Sequence, residues 1–181
     1  MFKKKRIVNQ IAPAPDKSGD RGVDFAWKTH SAISDWTAKV DSKAAITLSL
    51  GGVLLGFMIT LSSEDRVLAD ILGWQLIVEY IGLGFTALGV LLAALVVMPR
   101  LNRSRTKATW KSNFIYFGHL RRWKSADLKS KLQALDAAQE LELLATQLVS
   151  TSKIAWYKHS MLQFSIASLV LGVILVAMST V

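Results

Sequence analysis

Two short stretches carry the side chains best suited to chemistry. The first is FGHLRRW, residues 117–123. Gly118 offers a turn with positive φ. Beside it stand His119, a hydrogen-bond donor, Arg121 and Arg122, two guanidinium forks, and Trp123, a flat aromatic face. A fork pairs with a phosphate and an aromatic face stacks on a planar ring. The same residues equally suit a turn at a membrane surface, with arginine on headgroups and tryptophan at the interface. The second set is Asp41, Lys43, Lys153 and Lys158, each close to the start of an uncharged run. A carboxylate near a bilayer is costly, whereas lysine extends along the interface. A polar cluster of these four between two helices is one reading. Ordinary juxtamembrane charge, with Lys43 as a topogenic stop, is the other.

No catalytic arrangement accompanies these residues. No Ser-His-Asp set, paired carboxylates or phosphate-cradling glycine loop can be placed. Glu140 and Glu142 are two apart and point to different faces of a helix. The chain has no cysteine, and His30, His119 and His159 are scattered. The expectation is therefore a protein that is not an enzyme, with no metal and no cofactor.

The elements that must position these residues are apolar. The 181 residues are 51% hydrophobic, with mean hydropathy +0.33. Three uncharged runs stand out: 44–61, 80–98 and 161–181. At about 1.5 Å per residue each spans roughly 25–30 Å, the thickness of a hydrocarbon core. A buried core helix is the alternative for each. It has most room in the third, which contains Gln163, Ser165 and Ser168. The basic start, MFKKKR, is followed by no apolar region, so no cleavable signal peptide is expected.

Charge sets the expected topology. Net charge is +9. Residues 1–43 carry nine Lys/Arg and residues 99–160 carry twelve, against one in the loop 62–79. Basic segments stay cytoplasmic. The expected location is the bacterial inner membrane, with the N-terminus cytoplasmic and the C-terminus periplasmic. This asymmetry already accounts for the basic composition, so no nucleic-acid polymer is expected as a partner. Glu79 falls at the outer edge of the second span, and residues 71–79 read as an interfacial lead-in anchored by Trp74.

Residues 1–21 read as a disordered basic tail, in which Lys3, Lys4, Lys5 and Arg6 either contact anionic lipid or only set topology. Residues 22–43 read as an amphipathic helix on Val23, Ala26, Trp27, His30, Ile33, Trp36 or Thr37, Val40 and Ala44. It carries an i, i+4 pair, Asp35 and Lys39, and runs unbroken into the first span. After Pro99 comes a basic, aromatic linker. Ser125 is a candidate cap for a helix striped by Leu128, Leu132, Leu135, Ala138, Leu141, Leu144 or Ala145, and Leu148. No Gly or Pro interrupts residues 124–171, so that helix is expected to continue into the third span. The domain reading is a tail, 1–21, and one unit, 22–181. That unit holds a cytoplasmic helix 22–43, spans 44–61, 80–98 and 161–179, and a cytoplasmic linker and long helix 99–158. The fold class is an all-α membrane protein with three spans and a cytoplasmic helical hairpin or bundle, pairing 22–43 with 124–158. Gly52 with Gly56 and Ser168 with Gly172 are small-xxx-small pairs, which serve packing within one subunit or assembly of a homo-oligomer.

Two ordered sets of residues resemble the Pycsar effector transmembrane family. WTAKVDSKAAITLSLGGVLLG, with Asp41-Ser42-Lys43-Ala44, resembles the lead into that family's first membrane helix. Tyr116-Phe117-Gly118-His119, Ser152-Lys153-Ile154-Ala155 and Tyr157-Lys158 resemble its aromatic Gly-His turn, its Ser-Lys-Ile-Ala segment and its last basic-aromatic approach to the membrane. Tyr116 stands where that family has Phe. The resemblance covers residues 24–181. It implies an antiphage effector. A neighbouring cyclase makes cyclic UMP or cyclic CMP on infection, and the effector impairs the inner membrane so that the cell dies before the phage matures. The chain has no standard cyclic-nucleotide-binding β-roll, so any nucleotide site must be built from helices, within or between subunits. The rival readings are a membrane anchor or scaffold that docks a partner through its helices, and a channel subunit. Ligand-dependent toxicity, harmless residence and basal ion flux separate the three.

Overall fold

The computed structural model of the chain describes residues 17–62, 73–99, 110–111 and 113–180. The basic tail, the acidic loop and most of the linker therefore lie outside the described residues. Among the described residues every element is a helix: α1 Lys17–Leu61, α2 Trp74–Val97, α3 Phe117–Leu120, α4 Ser125–Gln133 and α5 Ala137–Ser179. Three of them, α1, α2 and α5, are long and apolar enough to cross a membrane. The chain is an all-α protein with three membrane helices.

The bundle is built on one spacing. Buried residues of α1 are Val23, Ala26, Ile33, Val40, Ala44, Gly51 and Met58, separated by three, four or seven. Those of α2, Glu79, Gly82, Thr86, Gly89, Ala93 and Val96, alternate steps of three and four. Those of α5 include Leu144, Gln147, Leu162, Ser165, Gly172, Val176 and Ser179. A three-four alternation keeps one stripe of a helix facing its neighbour. On α5 the step from Gln147 to Ala155 is eight, with Ile154 turned out, so the repeat slips there by one residue.

The partners along these stripes fix the packing sense. Val23 and Ala26 meet Leu144, Val40 and Ala44 meet Leu162, and Met58 meets Val176. Both numbers rise together, so α1 and α5 run parallel. The two segments are thus not a hairpin: each precedes a span that leaves from the same side. The α2 helix runs antiparallel to both, with Val96 beside Ala44 and Leu162 at one end and Leu83 beside Met58 and Val176 at the other. With 45 and 43 residues, α1 and α5 each measure about 65 Å, twice a hydrocarbon core. Their first halves therefore protrude, and only their second halves are joined by α2.

Several local expectations are corrected. The first helix begins at Lys17, not residue 22, with Asp20 in its first turn where negative charge suits the dipole. Residues 74–79 are not a surface lead-in but the first turns of α2. Trp74 is exposed, but Glu79 is only 2% exposed, and Ser62 Oγ donates to its Oε1. The long helix expected over 124–171 is broken. It stops at Ala134 and restarts at Ala137, because Asp136 takes an extended conformation and its side chain accepts from Gln139 N at 2.7 Å. Ser125 is the first helical residue, and Lys124 holds the cap position without a side-chain bond. No residue of α4 is buried, and Leu132 and Leu141 are exposed, so the pairing with α1 starts at α5. Trp27 and Trp36 lie off the α1 stripe and are exposed. Asp35 and Lys39 do not close an ion pair. Met98, before Pro99, is extended and ends α2, as the proline ring requires.

Close approach in the membrane half depends on Gly82 and Gly172. A Cβ on Gly172 would meet Gly82 O and Thr86 N at 2.7 Å and also crowd Thr86 Oγ1. Its small-xxx-small companion Ser168 is half-buried. The other pair, Gly52 and Gly56, faces outward, with open space where each Cβ would stand; Gly51 is the one that touches Val90 and Leu169. Gly172→Ala is expected to push α2 from α5 and destabilise by on the order of 1–3 kcal/mol, whereas Gly56→Ala is expected to be neutral. Thermal unfolding of the detergent-solubilised variants, followed by circular dichroism, checks both.

Candidate functional site

Segment 110–123 folds as an aromatic cluster against the protruding pair. Ile115 packs on Val23, Ala26 and Leu144. Eighteen residues separate Ala26 from Ala44, and eighteen separate Leu144 from Leu162. That is about 27 Å of helix between the level of Ile115 and the level at which the three apolar helices meet.

Within the cluster each residue has a distinct place. Gly118 is not in a positive-φ turn; it is helical, and among the described residues Gly73 alone has positive φ among glycines. Gly118 is needed for space: the Tyr116 ring occupies the place of a Cβ. Tyr116 meets His119 edge-on at 5.4 Å. Trp123 donates its indole N–H to Trp110 O at 3.1 Å and meets Trp110 and Phe114 edge-on at 5.3 and 6.2 Å. It is thus a wall of the cluster rather than an open stacking plane. Arg121 is exposed. Arg122 is half-buried, and its Nε is fully covered with no acceptor among the described residues. A covered donor without a partner is costly. It lacks an acceptor, and an anionic oxygen is one that a guanidinium takes well.

Burial lowers the His119 imidazole below its ordinary 6.5, partly opposed by a hydrogen bond with the Asn113 backbone. Asn113 itself is buried, and its side chain accepts from Ile115 N at 2.9 Å, holding the turn that delivers the cluster. Nothing in the sequence pattern pointed to Asn113; an Asx turn before an aromatic run was the available signal.

The second candidate set divides. Lys158 Nζ donates to Asp41 Oδ1 at 2.5 Å, joining α5 to α1 just below the cluster of Val40, Ala44, Val96 and Leu162. The Lys158 side chain is 13% exposed and that of Asp41 39%. Lys43 and Lys153 are exposed and do not join this pair. A contact that sequence reading missed ties the other end: Trp27 Nε1 donates to Glu140 Oε1 at 2.8 Å. The two long helices are therefore cross-linked by polar groups at both ends of their protruding halves.

The family model of the Pycsar effector protein domain matches residues 25–181. The chain belongs to the Pycsar effector family. It is an antiphage-defence effector of a cyclase-linked system, associated with membrane through its three apolar helices. No curated protein and no solved structure matches the chain. The matched range of the Pycsar effector model takes in most of the α1 protruding half, from residue 25, all of the α5 one, the aromatic cluster and all three membrane helices.

Two outcomes test this geometry. Asp41→Lys or Lys158→Asp alone is expected to lower stability by on the order of 1 kcal/mol, and the double exchange to restore most of it. A thermodynamic cycle on the four proteins checks this. For His119, the folded state favours the neutral ring. Its contribution is fully present above about pH 6.5 and is lost as pH falls through the lowered folded value. His119→Gln should flatten that part of the fall, measured as the thermal midpoint between about pH 8 and about pH 5.

Proposed function

We propose that this chain senses a cyclic pyrimidine nucleotide, cyclic UMP or cyclic CMP, made by its partner cyclase, and responds by impairing the inner membrane, causing abortive infection. The protruding half is cytoplasmic and the C-terminus periplasmic, in keeping with the basic residues of the protruding half and the linker. The chain performs no catalysis; binding and displacement suffice.

The observation that carries the reading is the continuity of α1 and α5. Each runs without a break from the level of the aromatic cluster, through the polar half, to the far end of its membrane helix. A ligand held at the cluster therefore acts on two rods that enter the bilayer. The nucleotide phosphate would supply the acceptor that Arg122 Nε lacks, with Arg121 free to approach from solvent and His119 at the rim of the site. Trp123 and its aromatic partners form the wall against which the pyrimidine lies. Three largely apolar helices make no conducting path in one subunit, so the lesion is the work of a homo-oligomer. Gly52 and Gly56, open on the outside of the bundle, give a neighbouring helix room to approach.

Calorimetric titration of the purified full-length protein with cyclic UMP and cyclic CMP, with cyclic AMP as control, tests the reading. One pyrimidine ligand is expected to bind selectively, and Arg122→Gln to weaken it by at least about tenfold. Absence of binding by any of the three replaces this reading with a membrane anchor that senses through another protein.

A further inference from the structure

The inner ends of the three membrane helices share one level, marked by the buried group Val40, Ala44, Val96 and Leu162. Just below it the two protruding helices turn a set of exposed residues outward. On α1 these are Trp36, Lys39 and Lys43, spaced by three and four and so on one face. On α5 they are Lys153, Trp156 and Gln163, spaced by three and seven on one face. Asp41 is engaged by Lys158, and Asp35, one turn from Lys39, closes no ion pair with it. Among the described residues no carboxylate lies within ion-pair distance of Lys39, Lys43 or Lys153.

Depth is read along each rod from Ala44 and Leu162, at the inner ends of the membrane helices. Lys43 lies about 1.5 Å below that level, Lys39 about 7.5 Å, Trp156 about 9 Å, Trp36 about 12 Å and Lys153 about 13.5 Å. The headgroup layer of one leaflet is roughly 5–8 Å thick. Lys43 and Lys39 therefore fall within that layer and Trp156 at its outer edge, while Trp36 and Lys153 lie about one turn below it, from where the long lysine stem extends back toward the phosphates. Gln163 sits one residue inside Leu162, at the depth of the glycerol esters. It is exposed, and no residue among those described pairs with its amide.

We propose that Trp36, Lys39, Lys43, Lys153, Trp156 and Gln163 form a collar that binds anionic phospholipid headgroups. The lysines donate to the lipid phosphate, the indoles flank the outer headgroups on the water side and the Gln163 amide donates to an ester carbonyl. The near edge of the collar, Trp36 and Lys153, lies about 13–15 Å along the rods from Ala26 and Leu144 at the level of the aromatic cluster, and none of its residues belongs to that cluster. Its effect is to hold both rods at a fixed depth, so that movement of their protruding halves is passed into the bilayer as tilt or rotation rather than as sinking.

Native mass spectrometry tests this on the full-length protein in mild detergent, offered equal amounts of phosphatidylglycerol and phosphatidylcholine. Phosphatidylglycerol is expected to be preferred. The variant carrying Lys39→Gln, Lys43→Gln and Lys153→Gln should hold it roughly a hundredfold more weakly, about fivefold per lysine. Replacing Lys3, Lys4, Lys5 and Arg6 by Gln should leave the preference in place. A lack of preference in the parent, a triple variant that holds phosphatidylglycerol as the parent does, or a tail variant that loses it, overturns the proposal. Circular dichroism reports whether the triple variant folds. If it does not, Lys153→Gln alone decides, by its fivefold loss or by the absence of one.

Discussion

The parallel seam between α1 and α5 is the constraint on which the rest of the molecule depends. It runs from Val23 and Leu144 at one end to Met58 and Val176 at the other, crossing from water into lipid without changing partner. The forces along it change even though the spacing does not. In the protruding half, burial of Val23, Ala26 and Leu144 is hydrophobic in origin. In the membrane half lipid is as apolar as leucine, so close approach must supply the attraction. That is where the small residues collect: Gly51 on α1, Gly82 and Gly89 on α2, Ser165 and Gly172 on α5.

Polar groups on the seam and on the α2 faces beside it fix the register of the three helices. Ser165 Oγ donates to Gly89 O at 2.6 Å, which satisfies a hydroxyl at the helix interface. Ser62 holds Glu79 at the far end, and Lys158 holds Asp41 at the inner end. A slip of α5 by one residue along α1 would move Lys158 from its carboxylate and bring a larger side chain onto Gly82. Apolar packing alone tolerates neighbouring registers; a charge pair beside the bilayer and a glycine contact do not. Thr86 shows the same economy of polar groups, donating to Gly82 O at 2.9 Å within its own helix.

The three membrane helices were plain from sequence, because eighteen or more residues without charge admit few alternatives. The α1 stripe was equally plain, since Val23, Ala26, Ile33, Val40 and Ala44 keep their spacing into the bilayer. The break before α5 was hidden because it uses neither Gly nor Pro. A capping aspartate, Asp136, three residues before Gln139 makes it, and such a pair also occurs inside helices. The choice between Gly51 and Gly52 was hidden because adjacent glycines differ by about 100° around a helix, and a small-xxx-small pattern does not say which face is inward. Glu79 was read as lying in an interfacial lead-in at the outer edge of the second span because a carboxylate inside a span is costly; its three-four spacing with Gly82 and Thr86 places it on the buried stripe of α2. The parallel sense was recoverable. Two segments that each precede a span leaving the same side must run the same way.

On the proposed function, the difference between two-helix and three-helix packing among the described residues explains how such a rigid object responds. The α2 helix fills the groove between α1 and α5 only from Val97 outward, so the protruding halves rest on two-helix packing, the aromatic cluster and two polar ties. A two-stranded pair buries less surface per residue than a three-stranded bundle, so its register is the cheaper one to shift. The one-residue slip on α5 between Gln147 and Ala155 falls in this half, where the left-handed winding must locally relax. Neither rod has a proline or a break along its length to absorb a displacement. A change in register at the cluster would therefore reach the Asp41–Lys158 pair and the membrane helices beyond it. On the proposed function, the half that would bind is the half that yields, and the half that would move the bilayer is the one packed too closely to yield by itself.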